Sequence, residues 1–441
     1  MLAAGGATIG FNSLWQFPGL VAERGGGAFL IVYALALVVL GAPLIAAEML
    51  LGRVSGLSPA SAFRSLAART RSDPGWAIVG WMGMTAGFVI FSFLSVIAGW
   101  TTAYLVRSVL GAFAGQTADG IGSLFTALVQ DPEKQLFWFT LFVGACTSVS
   151  ARGVRDGLEW LARFALPLLL VSLTALFAYS ATLPAFMASA ARVFAPDFSQ
   201  LGLTDVFAAV VHVFFSLGLG AGVLLMYSAY APADVSLPRA ALAVAALDTF
   251  VGLVAALAVL TLLAAGGVEP ASGPALVFQA LPLAFDHLPY GRFLLPLVFV
   301  MLVAAAWLAA VALIESGVAW LTERFAWSRL RAALTLGTIA WFAGLAMMLS
   351  FNHWSFSFRF FDEVKKLGLF DAAQILVTNV LLPLTGLGVA LFAGWRLRTE
   401  EARAQFGFRS PCAFDAWLWL TRVVVPLLLI VLIFALPELL A

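Results

Sequence analysis

The sequence predicts an all-α polytopic membrane protein. Three observations predict it. Of the 441 residues, 62% are hydrophobic and only 11% are charged, where soluble domains carry about 25% charged residues. Apolar runs recur at the length, about 20 residues, that crosses a bilayer as a helix. Two of those runs are interrupted by glycines near mid-span, five spans apart. Mean hydropathy is +1.01. The net charge of +1 gives no reason to expect nucleic acid as a partner; the partner that composition implies is the lipid bilayer. Cys146 and Cys412 fall in different parts of the chain, so neither a disulfide nor a metal site is expected from them.

The first run holds Gly5, Gly6, Thr8, Ile9, Gly10, Phe11, Asn12, Ser13, Trp15, Gln16, Phe17 and Pro18. Its glycines and polar side chains make a helix easy to interrupt. An unwound turn at bilayer depth exposes backbone N–H and C=O groups, which is tolerated where they line a cavity or hold a ligand. One reading is therefore a broken helix at a substrate site. The other is a glycine-rich packing face for a neighbouring helix. Because the run continues into these polar residues, it reads as a retained span and not as a cleaved signal.

About eleven spans follow from the bilayer length rule, near 2–21, 27–52, 76–111, 134–150, 157–180, 204–230, 238–265, 290–322, 329–351, 370–397 and 414–440. Basic residues set the orientation. Arg53, Arg64, Arg69 and Arg71 follow the second span, Arg152 and Arg155 the fourth, Arg324, Arg329 and Arg331 the eighth, and Arg396, Arg398, Arg403 and Arg409 the tenth. The loop 112–133 has no Lys or Arg, and 352–369 is mixed. This bias expects a cytoplasmic N-terminus, and an odd span count places the C-terminus outside. The sixth span is the second irregular one: His212, Phe214, Phe215, Ser216 and then Gly218, Gly220 and Gly222. Breaks five helices apart insert in opposite directions, the mark of inverted repeats with a site between them. The expected organisation is one transmembrane domain over 1–441, with inverted five-helix repeats (spans 1–5, about 1–180, and spans 6–10, about 204–397) and an eleventh helix at 414–440.

At this point the chain resembles the neurotransmitter:sodium symporter family. Trp15-Gln16-Phe17-Pro18 with Glu23-Arg24-Gly25-Gly26-Gly27-Ala28-Phe29, then Gly41-Ala42-Pro43-Leu44 with Glu48 and Gly52-Arg53, carry the resemblance. Gly157-Leu158-Glu159 with Pro167, Phe214 to Gly218, Gly273 to Phe278 with Leu281-Pro282, and Asn379 to Gly386 follow in family order. The resemblance spans nearly the whole chain. It implies two inverted repeats and secondary active transport of amino acids or related small organic molecules.

The departures from the family pattern are informative. The resemblance implies one sodium site built from backbone carbonyls at Gly6 and Ile9 and from helix-8 side chains at the positions of Ala305, Leu308 and Ala309. Leu and Ala offer no oxygen, so this site is expected to be degenerate. A second ion site would use Ser13, Ser216 and Asp248. A carboxyl deep in an apolar span can exchange a proton near neutrality, so Asp248 is the expected proton-coupling residue. Alternatives are a charged ligand for a cation such as sodium, a counter-ion for a substrate amine, and a satisfied structural Asp. His212 lies one turn before Ser216 on the same face; it reads either as a proton relay or as a neutral, hydrogen-bonded His. The family's outer gate pairs Arg with Asp, and the matching positions are Gln16 and Gln374, with Phe215 beside them; Asp371 lies nearby. Glu323 matches an acidic residue of the inner gate, whose basic partners precede the first helix, where this chain has only Met1 to Ala4. The tyrosine that binds a substrate carboxylate is Leu94 here, which leaves backbone N–H groups of Phe11 and Asn12 as anion donors.

The expected pocket is Thr8, Gly10, Phe11, Asn12, Ile90, Phe93, Leu94, Phe215, Ser216, Gly218, Ala221, Ala309 and Leu313. Small residues leave room and Phe93 with Phe215 supplies aromatic walls, which suits a bulky apolar or aromatic solute; close helix packing is the competing reading of the same small residues. The expected function is a proton-coupled symporter in a bacterial inner membrane, with no cofactor beyond the coupling ion. A sodium-dependent amino-acid symporter using the one remaining site is the alternative, and a non-transporting membrane sensor is the alternative of another class. No nucleophile–base set or phosphate loop points to an enzyme.

Overall fold

The structure is a computed structural model that describes residues 11–232, 234–351, 355–360, 363–407 and 411–440. The first span is described from Phe11 onward as two short helices, α1 (Phe11–Trp15) and α2 (Phe17–Glu23). Then come α3 (Gly27–Ser55), α4 (Pro59–Arg69), α5 (Pro74–Val109), α6 (Ala118–Val129), α7 (Pro132–Ala151) and α8 (Val154–Ala181). A surface helix α9 (Phe186–Phe194) leads to the split span α10 (Leu203–Ser216) and α11 (Val223–Tyr230). The chain continues through α12 (Leu237–Ala265), the short α13 (273–286), α14 (Gly291–Phe325) and α15 (Arg329–Leu349). It ends with α16 (Leu369–Arg396), α17 (Thr399–Phe406) and α18 (Cys412–Phe434). Among the described residues, eight helices are long and apolar enough to cross a membrane: α3, α5, α8, α12, α14, α15, α16 and α18.

Local chemistry sets the boundaries. Pro59, Pro74 and Pro132 stand in the first turn of their helices, where a missing N–H costs nothing. The side chains of Thr117, Asp131 and Ser328 each accept a backbone N–H of the first turn. Gly56 ends α3 at φ +64°, returning its N–H to the Gly52 carbonyl. The segment read as a loop near 352–369 carries an antiparallel hairpin, β1 (Ser355–Phe360) and β2 (Glu363–Gly368), in register from Ser355 opposite Gly368 to Phe360 opposite Glu363.

The packing repeats itself when each span is exchanged for the one five places later. The second span, α3, packs against both halves of the sixth, α10 and α11; the seventh, α12, packs against the described part of the first, α1 and α2. The fifth, α8, lies on the eighth, α14, and the tenth, α16, lies on the third, α5. The pairs α5 with α14 and α7 with α15 map onto themselves. The first and sixth spans are thus each braced by a helix of the other half. Leu35, Phe164, Val171, Leu242, Phe250 and Phe342 are exposed, as expected where lipid replaces water as the solvent.

Candidate functional site

The site begins with the break in the sixth span. Helix α10 stops at Ser216, and Gly218, Gly220 and Gly222 turn the chain with φ of +62°, +79° and +74° before α11 resumes. Gly220 is the most constrained: a Cβ there would lie 2.6 Å from the Leu382 carbonyl oxygen, in a left-handed backbone that L-residues avoid. Unwinding frees backbone donors that need partners in an apolar setting. The buried Glu48 of α3 meets that need, its Oε1 accepting the Gly220 N–H at 2.7 Å.

Beside this break lies a cavity of about 320 Å³. Asn12, Gln16, Ile90, Phe93, Leu94, Phe215, Ser216, Gly218, Ala309, Leu313 and Gln374, all singled out from the sequence, line it. Phe93 and Phe215 form a stacked pair, centroids 6.3 Å apart and planes 10° apart, with the Phe370 ring edge-on to Phe93 at 5.8 Å. Ala221 is buried but does not line the cavity: it lies inside the turn, where its backbone faces Gly87. Thr8 and Gly10, and Gly6 and Ile9 of the degenerate ion site, lie outside the described residues; Phe11 opens the first described helix. Sequence reasoning missed Trp15, Ile97, Trp100, Leu217, Val223, Pro274, Phe351 and Phe370 in the wall, and placed Asp371 only nearby. Helical spacing from Ile90 through Phe93 and Leu94 reaches Ile97 and Trp100, so those two were within reach of the pattern.

Ser13, Ser216 and Asp248 are brought together in a buried ring. Ser13 Oγ donates to Asp248 Oδ1 at 2.7 Å, Ser216 Oγ donates to Asp248 Oδ2, and the two serine oxygens lie 2.5 Å apart. The amide of Asn12 donates through Nδ2 to Nδ1 of the buried His212 at 3.3 Å. The imidazole stacks on Phe17, with centroids 4.9 Å apart and planes at 22°, and Tyr33 flanks it. Ala305 and Leu308 are buried, and Ala309 faces the cavity; these three bring no side-chain oxygen to the ion site read as degenerate.

Gln16 and Gln374 line the same cavity, and among the described residues no hydrogen bond joins their side chains. Near the arginine-bearing ends of the helices, Glu323 accepts the Ser58 N–H at 2.8 Å and the Ser58 hydroxyl at 2.5 Å. Glu315, which is buried, forms an ion pair with Arg329 at 2.6 Å and accepts the Tyr230 hydroxyl at 2.8 Å. These charge-assisted hydrogen bonds tie α14 to the start of α4, to α11 and to α15.

Comparison with known proteins agrees with this geometry. A family model described as the Sodium:neurotransmitter symporter family matches residues 1–119 and 137–439. An uncharacterized sodium-dependent transporter, YhdH, of Bacillus subtilis (strain 168) is 31% identical over 434 residues, which cover 98% of this chain and 94% of the relative. An uncharacterized sodium-dependent transporter of Haemophilus influenzae is 30% identical over 439 residues, 98% of this chain and 95% of the relative. Among solved structures, the crystal structure of MhsT in complex with L-phenylalanine aligns with a TM-score of 0.87 at 36% identity, covering 98% of this chain and 97% of that one.

Proposed function

Because the chain belongs to the sodium:neurotransmitter symporter family, we propose that it carries a hydrophobic or aromatic amino-acid-like solute across the membrane by alternating access, coupled to one cation at the Ser13–Ser216–Asp248 ring. The solute site is the cavity at the helix breaks. Its walls are aromatic and its polar groups few, the pattern of a site that selects by shape and orients by a handful of hydrogen bonds. That MhsT is solved with L-phenylalanine supports an aromatic solute here.

One observation carries the coupling site. The ring has three short O···O contacts, and its two serine hydroxyls supply two protons. The third contact calls for one more positive charge. A proton on Asp248 closes the ring as three O–H···O bonds, and the contacts of 2.5 and 2.7 Å have the length of such bonds. Proton coupling is the reading this count favours. Sodium is the second reading: the relatives are called sodium-dependent, and two hydroxyls with a carboxylate are hard oxygen ligands for it. Either way a single ion is coupled, because Leu308 and Ala309 bring no side-chain oxygen to the other position.

The arginine-rich loops support a cytoplasmic N-terminus and an outer C-terminus, in a bacterial inner membrane, with the two repeats over about 1–180 and 204–397 and a further helix at 414–440 forming one domain. The test is uptake in proteoliposomes of labelled phenylalanine, tryptophan and tyrosine, with proton and sodium gradients imposed separately. Uptake driven by a pH gradient without sodium supports the proton; strict dependence on sodium replaces it with the second reading. Binding without uptake or exchange under any gradient would leave a sensor, and the transport reading would fail.

A further inference from the structure

Asn12 stands between the cavity and His212, and its hydrogen bond lies outside the coupling ring. We propose that Asn12 is a specificity-determining residue, held by His212 so that its carbonyl oxygen faces the solute and accepts a hydrogen bond from the solute's amino group. The inference deepens the reading of this cavity as the solute site and rests on it.

The argument is one of donors and acceptors. An amide nitrogen only donates, so His212 Nδ1 accepts, and the imidazole is neutral with its proton on Nε2. Turning of the ring to another partner is opposed by its stacking on Phe17 and by the tilted Tyr33 ring beside it. An amide is planar, so fixing Nδ2 on His212 directs Oδ1 away from it. Asn12 also forms part of the cavity wall. Among the described residues, nothing else donates to Oδ1. Ser216 is engaged in the ring and Leu94 has no polar atom; Gln16, Asp371 and Gln374 also bring acceptors to the wall, but of these side chains Asn12 is the one held by His212. His212 therefore acts through Asn12 as a positioning residue. Its hydrogen bond leads to the solute cavity and not to Asp248.

The test uses the full chain in proteoliposomes with L-phenylalanine as probe and 3-phenylpropionate, its analogue without the amino group, as competitor. Asn12→Leu and His212→Phe are each expected to raise KM for phenylalanine about threefold to tenfold, the range for one net hydrogen bond. In both, kcat and the half-saturating ion concentration should stay within about twofold, and the preference over the competitor should be lost. The double variant should match Asn12→Leu alone, since His212 has no separate route to the solute. His212→Gln, which keeps an acceptor, should restore KM. Additive losses, or a His212→Phe effect confined to the ion dependence, would overturn the proposal. Failure of the wild type to take up phenylalanine would count against the solute reading alone, and nitrogen-15 spectra of the three histidines then decide this one. They should show His212 neutral with Nε2 protonated and its Nδ1 resonance displaced in Asn12→Leu; a ring protonated on Nδ1 overturns it.

Discussion

Replacing Asp248 with Asn should separate the ion from the hydrogen bonds it completes. In the wild type the three contacts of the Ser13–Ser216–Asp248 ring have two hydroxyl protons between them. An asparagine brings its own N–H. It can donate to one serine, that serine to the other, and the second serine back to the amide oxygen. All three contacts are then satisfied with no ion bound. We expect Asp248→Asn to fold within about 1 kcal/mol of wild type, as for substitutions that keep buried polar groups paired. Asp248→Ala removes both acceptors; one serine can still donate to the other, which leaves one buried hydroxyl proton without an acceptor and should cost about 1–3 kcal/mol. Transport tells the variants apart. One proton per solute, driven by one unit of pH gradient, supplies about 1.4 kcal/mol, which is about tenfold accumulation. With the membrane potential clamped, wild-type vesicles should concentrate the solute about tenfold and Asp248→Asn vesicles not at all. The variant should still exchange labelled for unlabelled solute, because it is held in the loaded form. Concentration of solute by Asp248→Asn, or loss of both exchange and binding in a stably folded variant, would refute the proton count.

Three further outcomes follow from the geometry around the break. Glu48→Ala leaves the buried Gly220 N–H without its 2.7 Å partner, so thermal denaturation in detergent should show a loss of about 1–3 kcal/mol. Gly220→Ala places a methyl group 2.6 Å from the Leu382 carbonyl oxygen in a left-handed turn; the backbone penalty alone is about 1–2 kcal/mol, and solute binding should weaken together with the melting temperature. Phe93→Ala removes the rings' contacts with Phe215 and Phe370, each worth about 0.5–1.5 kcal/mol, so KM for tryptophan should rise at least threefold while KM for leucine changes less, measured by competition in the same vesicles.

The parts of this molecule that the sequence exposes are those governed by one element at a time. Bilayer-length apolar runs fix the helices, and the glycines of 218–222 announce the break before any partner is known. Residues one helical turn apart, such as Asn12 with Gln16 or Ile90 with Phe93 and Leu94, share a face for the same local reason. The strand β1 was within reach too. Ser355-Phe356-Ser357-Phe358 alternates with period two, the local pattern of a strand, although the stretch joins two bilayer-length apolar runs. Partnerships between spans are different in kind. Glu48 is only a family landmark in the sequence, and its role depends on α3 packing against α11. Pro274, Phe351 and Phe370 enter the cavity from segments whose path depends on the rest of the bundle. His212 shows the distinction most sharply. Its i, i+4 spacing to Ser216 points toward the ion ring, yet its hydrogen bond goes across to Asn12 on the first span. Spacing gives the side of the helix on which an imidazole lies; the donor that arrives from the other repeat decides what that imidazole does.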